Sequence, residues 1–536
     1  MPQFAAATGV LSAITANWNM GFQTVHFLLF FPLVVLATYL LPGRLRRAWL
    51  LLASYYFYFF AAPRHLPILI CGTLFSYLFC RLLSAAKKLA VRRLLLTLGI
   101  VGLVGGLAFF KYNAYFEPFF TPLFKSIGLA YSSEYFSVAL AVGISFYTFT
   151  AIGSLIDAYR GDVPAEKNLI TYALFLSFFP AVSQGPISRA GDLLPQLKTT
   201  PAFDAQNTIN ALRQFAIGYF KKMAVADTLA IYVKGVYGTP DTLASYSGIT
   251  LIMASIVFMI QLYFDFSGYS DIALGTAQIL GIRLPQNFNT PYFATNFSGF
   301  WSRWHISLSN WLQDYIFTPL VWSRWPEKLP FIGKKIQKPP VLTSLLAVFF
   351  VSGLWHGSSM LFVVWGLLQA LFRIGEELVH RTLGKPRKKM PLLMRIGKTA
   401  LVLVLWCESL VFFSVGLLCK GGTLNDALSA LVRQFSGISF SRAASEGFSI
   451  IKTGFYGDDR IATVFILFCL VCTVLAFVAD WVQFFKLKGK PFGGALVRLR
   501  PALRWGIYYL LFLCCFAAFI MQSGGFGGSS FLYGGF

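Results

Sequence analysis

Imidazole is the side chain best suited to accept and return a proton near neutral pH. The chain holds five: His26, His65, His305, His356 and His380. The first two sit at expected helix ends beside aromatics or proline, and His380 adjoins a basic loop, so interfacial packing accounts for these three. His356 differs. It lies in Ser352-Gly-Leu-Trp-His-Gly-Ser358, after an apolar run over 341–354 that follows a basic stretch ending at Lys338. A second apolar run, 360–379, leads back to a basic stretch at 381–398. If both basic stretches lie on one side of a membrane, the rise from Pro340 to His356 is ~24 Å, short of the ~30 Å hydrocarbon core. His356 is therefore expected within the membrane, at a turn where Gly353 and Gly357 permit a helix break or the close approach of another backbone. The alternative is structural, an imidazole bonded to a carbonyl at a helix break.

His305 lies in Trp301-Ser-Arg-Trp-His-Ile-Ser-Leu-Ser-Asn-Trp-Leu-Gln-Asp-Tyr315. Read as one helix, this run puts Arg303, Ser307, Asn310 and Asp314 on one stripe and Trp301, Trp304, Leu308, Trp311, Leu312 and Tyr315 on the other. His305 falls at the edge of the aromatic stripe and is expected to face a protein-lined cavity. The polar stripe suits the cytoplasmic interface, above all at Arg303 and Asp314. Upstream, Asp265 and Asp271 stand in an otherwise apolar helix, with Gln261 and Ser267 one turn before them. An offset of six residues sends the two carboxylates to different faces, so structural hydrogen bonding is expected of both rather than paired acid–base work.

The elements that must hold these residues are membrane helices. Of 536 residues, 57% are hydrophobic and 12% charged, about half the charged fraction of a soluble protein. Apolar runs of spanning or near-spanning length recur, among them 26–41, 93–110, 168–182, 399–418, 461–483 and 505–521. The first 25 residues lack any basic residue, so the first helix is expected to be its own targeting signal rather than a cleaved leader. Net charge is +24. The basic residues cluster in short loops, around Arg44–Arg47, Arg81–Arg93, 324–338, 381–398 and 486–504, where they set topology rather than bind nucleic acid. Connections at 111–135 and 420–460 carry mixed charge and are expected outside, the second with a short amphipathic helix from Leu424 to Phe435 and little else. Cys469 and Cys472 have a metal-ligand spacing but lie mid-helix among apolar residues without a nearby histidine, so they read as packing. No metal site is expected.

Several runs together resemble the bacterial branch of the MBOAT superfamily. They are Val142-Gly-Ile-Ser-Phe-Tyr-Thr-Phe149, Gly185-Pro-Ile-Ser-Arg189, Tyr263-Phe-Asp-Phe-Ser-Gly-Tyr-Ser-Asp271, Leu284-Pro-Gln-Asn-Phe-Asn289, Trp304-His-Ile-Ser-Leu308 and Gly353-Leu-Trp-His-Gly357. That branch holds alginate and peptidoglycan O-acetyltransferase membrane subunits and the teichoic-acid D-alanyl transfer protein. Gln313, Thr318-Pro-Leu-Val-Trp322 and the ending Phe531-Leu-Tyr-Gly-Gly-Phe536 depart from its pattern, but none touches either histidine.

The resemblance implies an all-α polytopic protein of roughly 11–14 membrane helices with a central tunnel, in a single membrane domain over 1–536. Its core would cover about 25–420, with additional membrane helices over 421–536. It implies His356 as the essential membrane-embedded histidine and His305 as the second one. Trp304, Trp355, Asn310, Asp314, Asp265 and Asp271 are the candidates to line the tunnel or bind substrate. No cofactor is expected to stay bound. The donor would be a cytoplasmic thioester, acetyl-CoA ahead of an acyl carrier protein, because length favours the O-acetyl branch. The acceptor would be an extracytoplasmic polysaccharide hydroxyl, reached with a secreted acyltransferase partner, and the setting a bacterial inner membrane. D-alanyl transfer to teichoic acids is the runner-up. A transporter or flippase, or an inactive scaffold, are the rivals from other classes.

Overall fold

A computed structural model describes residues 20–126, 128, 143–199, 201–323, 339–384, 390–454, 458–486 and 498–523. The basic stretch at 324–338, most of that at 486–504 and the ending Phe531–Phe536 lie outside them. The described residues are helical almost throughout, with no strand among them. Six of their helices are long and apolar enough to cross a membrane: Pro63–Ala85, Leu89–Asn113, Gly248–Ile279, Leu392–Leu418, Asp459–Val482 and Pro501–Met521. Val25–Leu40 and Val341–His356 are shorter apolar helices. The chain is an all-α polytopic membrane protein.

Three expected elements turn out differently. The run 168–182 breaks at Phe178 into Leu169–Ser177 and Phe179–Val182, with Pro180 at the start of the second piece. The connection expected from residue 111 is helical as far as Ser126, past a kink at Tyr112. The segment 420–460 holds two helices, Leu424–Arg433 and Phe440–Gly454. The second was hidden by its serines and glycines, which weigh against helix in sequence. Contacts supply the difference. Glu446 accepts hydrogen bonds from Thr250 Oγ1 at 2.6 Å, Ser247 Oγ at 2.8 Å and Arg442 Nε at 2.7 Å. Desolvation acts to raise this carboxyl, but these bonds outweigh it and hold the pKa at about 2.

The residues divide into two compact units. One comprises the chain to Phe215 with Ile272–Pro285. Within it the helices Leu66–Ala85, Leu89–Ser126 and Ile144–Arg160 pack together. Gly143, at φ +79°, starts the last of these where a Cβ would lie 2.0 Å from the Val182 carbonyl oxygen, so only glycine fits. Arg46, read as topology-setting, is 4% exposed. It donates to the Leu280 carbonyl at 2.8 Å, beside a bond from Tyr39 Oη to the Ile279 carbonyl at 2.7 Å. A cation and a hydroxyl thus satisfy carbonyls left open at the end of the Gly248–Ile279 helix.

The second unit comprises Ala216–Asp271 and the chain from Gln286. It contains both candidate histidines. Its centre is a helical hairpin, Pro339–His356 followed by Met360–Leu383. The Cβ of an alanine at 353 would meet the Phe362 carbonyl oxygen at 2.6 Å, and one at 366 the Phe349 carbonyl oxygen at 2.3 Å. Glycine on both arms lets the two backbones touch, which is the close approach expected of Gly353.

Candidate active site

His356 is the last residue of its helix and lies at the hairpin tip, 3% exposed. Its ring meets Trp355 at 4.8 Å, Trp365 at 4.9 Å and Phe413 at 5.1 Å between centroids. The first contact is local, the second comes from the returning arm and the third from the Leu392–Leu418 helix. Gly357 follows where a Cβ would lie 2.3 Å from the Phe362 ring. Aromatic edges therefore wall the imidazole in.

His305 is 1% exposed, but the element carrying it is not the continuous helix that the spacing suggests. Phe297–Trp301 ends, residues 302–305 turn, and a new helix runs over Ile306–Leu312 before widening into a π-helical turn at Gln313–Phe317. His305 itself has φ 44°. The left-handed region is costly for a side chain this large and persists only where surroundings impose it. The second non-glycine residue of this kind among those described, Thr290 at φ 46°, precedes the Phe297–Trp301 helix that leads to this turn. The Leu284–Asn289 segment imposes the turn. Asn287, fully buried, accepts from Ser307 Oγ at 2.6 Å and donates to Ser270 Oγ at 3.2 Å, and its carbonyl accepts from the Ile306 N–H at 2.9 Å. The Arg303 carbonyl takes the Asn289 N–H at 3.0 Å.

The break changes which residues meet. Trp304 is buried and packs against Trp406 at 5.2 Å, while Asn310 and Asp314 are exposed. Trp355 connects the histidines: its ring lies 5.8 Å from His305 and 4.8 Å from His356. Phe266 closes the other side of His305 at 4.6 Å. Two histidines, one indole between them and a surround of Trp301, Trp304, Trp365 and Trp406 form a single aromatic cluster.

Asp265 and Asp271 lie outside it, and their partners are not Gln261 and Ser267. Lys222 Nζ is 2.5 Å from Asp265 Oδ1 and 2.7 Å from Asp227 Oδ1, while Lys221 Nζ is 2.8 Å from Asp271 Oδ2. A π-helical turn over Phe220–Ala226 carries both lysines. Buried charges of this kind persist only when paired. The sequence held a signal for them, since Lys221-Lys222 interrupts an apolar stretch rather than a loop. The same holds for Asp480 within the run 461–483.

Together these features define a multi-pass membrane protein with two buried histidines in one aromatic cluster. A model of the membrane-bound O-acyltransferase family matches residues 162–414. Peptidoglycan O-acetyltransferase of Helicobacter pylori is 33% identical over 388 residues, 68% of this chain and 69% of that protein. The probable alginate O-acetylase AlgI of Pseudomonas aeruginosa is 34% identical over 380 residues, 70% of this chain and 69% of that one. Teichoic acid D-alanyltransferase of Bacillus subtilis is 30% identical over 238 residues, 43% and 57% of the two chains. This chain belongs to the membrane-bound O-acyltransferase family. It is an acyltransferase of a bacterial membrane.

Proposed function

We propose that this enzyme moves an acyl group, acetyl by preference, from a cytoplasmic thioester to a hydroxyl of an extracytoplasmic polysaccharide, working with a secreted partner. The observation carrying the reading is His356, buried at the tip of a glycine-packed hairpin and joined to His305 through Trp355. In this setting His356 takes the proton of the acceptor hydroxyl as its oxygen attacks the thioester carbonyl, and the proton leaves with the thiolate. The covalent variant has the imidazole accept the acyl group first and pass it on. His305 orients the carbonyl, and the aromatic walls keep out water that would hydrolyse the donor. Trp304 and Trp355 line the path of the acyl group. Acetyl-CoA is the donor we favour, because the peptidoglycan and alginate relatives align over 68% and 70% of this chain against 43% for the D-alanyl relative.

Ester-linked acetate and D-alanine on surface polysaccharides, quantified in a deletion strain complemented with wild type or His356→Ala, test this reading. The expected result is acetate lost about 100-fold or more in the variant at equal expression. Loss of D-alanine instead selects the teichoic-acid reading. Unchanged esters with altered transport select a transporter, and a variant indistinguishable from wild type selects a scaffold.

A further inference from the structure

We propose that Asp480 is a positioning residue for the His305 loop, acting through Tyr263. It belongs to the Asp459–Lys486 helix, beyond the residues 162–414 that the family model covers. Three residues of that helix, Phe477, Asp480 and Phe484, are spaced i, i+3 and i+7 and so share one face. Together they touch the aromatic face of the Gly248–Ile279 helix, the Pro291–Phe293 turn and Arg303, two residues before His305. Phe477 packs on Phe264 at 5.1 Å and Tyr292 at 6.5 Å. Phe484 stacks on Phe293 at 4.6 Å, and the Arg303 guanidinium lies over its ring at 5.6 Å. Between them Asp480, 4% exposed, accepts a hydrogen bond from Tyr263 Oη at 2.5 Å.

Tyr263 transmits this hold. Its ring, 2% exposed, contacts Phe288 at 5.9 Å, Tyr292 at 4.8 Å and Trp304 at 6.1 Å. Those are the two sides of the loop whose close is the left-handed His305. A strained turn needs its surroundings to over-determine it, and Asn287 supplies part of that hold. The Asp480–Tyr263 bond adds a directional contact that fixes the Tyr263 ring against Trp304. The Asp459–Lys486 helix is on this account part of the unit that shapes the His305 turn.

The test is hydrogen–deuterium exchange of the detergent-solubilised full chain, followed by mass spectrometry of peptides covering 286–306. Asp480→Leu and Tyr263→Phe are each expected to speed exchange there about tenfold while leaving 144–160 unchanged. The double variant should exchange no faster than the worse single one. Asp480→Asn keeps an acceptor for the tyrosine hydroxyl and should restore protection, which separates a lost bond from a misfolded chain. Unchanged exchange over 286–306, additive effects in the double variant, or no restoration by asparagine would each overturn the proposal. The role in turnover rests on the proposed function and is read separately. With acetyl-CoA as donor, Asp480→Leu should lower kcat about tenfold with KM for the donor unchanged. A rise in KM alone would remove the role in turnover. Wild type inactive with acetyl-CoA would strike the proposed function, while the exchange arms still decide the positioning.

Discussion

The two histidines of the aromatic cluster are both buried but held in opposite ways. His356 depends on neighbours in sequence: the hairpin that presents it runs from Pro339 to Leu383, and its contact glycines lie within thirteen residues of each other. His305 depends on strangers: Asn287, Ser270, Phe266 and Tyr263 each come from an earlier segment and none from its own helix. Local packing fixes the first with ordinary helical geometry. The second requires a left-handed residue that only an assembled surround can sustain. Precise placement of two neighbouring histidines can thus arise from close-packed glycine and from imposed strain side by side.

Substitutions can break this contrast. The largest expected effect is in the hairpin. Gly353→Ala drives a Cβ against backbone at 2.6 Å and should cost toward the upper end of ~1–3 kcal/mol. Gly375→Ala, in the same hairpin but with nothing within 4 Å of the new Cβ, should instead stabilise, by ~0.5–1 kcal/mol. Thermal unfolding in detergent reads both, and equal signs would mean the glycines are not a packing device. Asn287→Ala comes next. It strips Ser307 and Ser270 of a buried partner, an expected loss of ~1–3 kcal/mol, with exchange rising over 286–306 and staying flat over the hairpin. The smallest effect sharpens the strain argument. His305→Gly and His305→Ala both remove the imidazole, but only glycine accepts φ 44° without penalty. The glycine variant should be the more stable by about 1 kcal/mol, and equal melting temperatures would show the turn to be unstrained.

Much of the His356 side was legible beforehand. An apolar run too short to span, a histidine flanked by glycines and a second apolar run describe a helical hairpin with His356 at its tip, as found, because each term is local. The His305 side was legible as residue types but not as geometry. Helical periodicity across 301–315 sorted the two sides in part: Trp304, Leu308, Trp311 and Leu312 are buried, but Trp301 and Tyr315 are half-buried and Ser307, from the polar stripe, is buried. It also assumed that the helix continues through His305, where it stops. The carboxylates show the same limit. Asp265 and Asp271 stood out in an apolar helix, but their lysines come from residues 221 and 222 on another helix, and pairing across helices leaves no mark in spacing along one.

The sequence by itself determined that this chain lives in a membrane and that two histidines stand beside tryptophans. Hydrophobic length, turn chemistry and residue type are properties of short segments, so they survive without a fold. Only the tertiary structure decided that Trp355 lies between the histidines, that Asn287 shapes the turn at 305 and that Asp480 reaches Tyr263. Those are meetings of segments far apart along the chain, and their partners are chosen when the whole core packs.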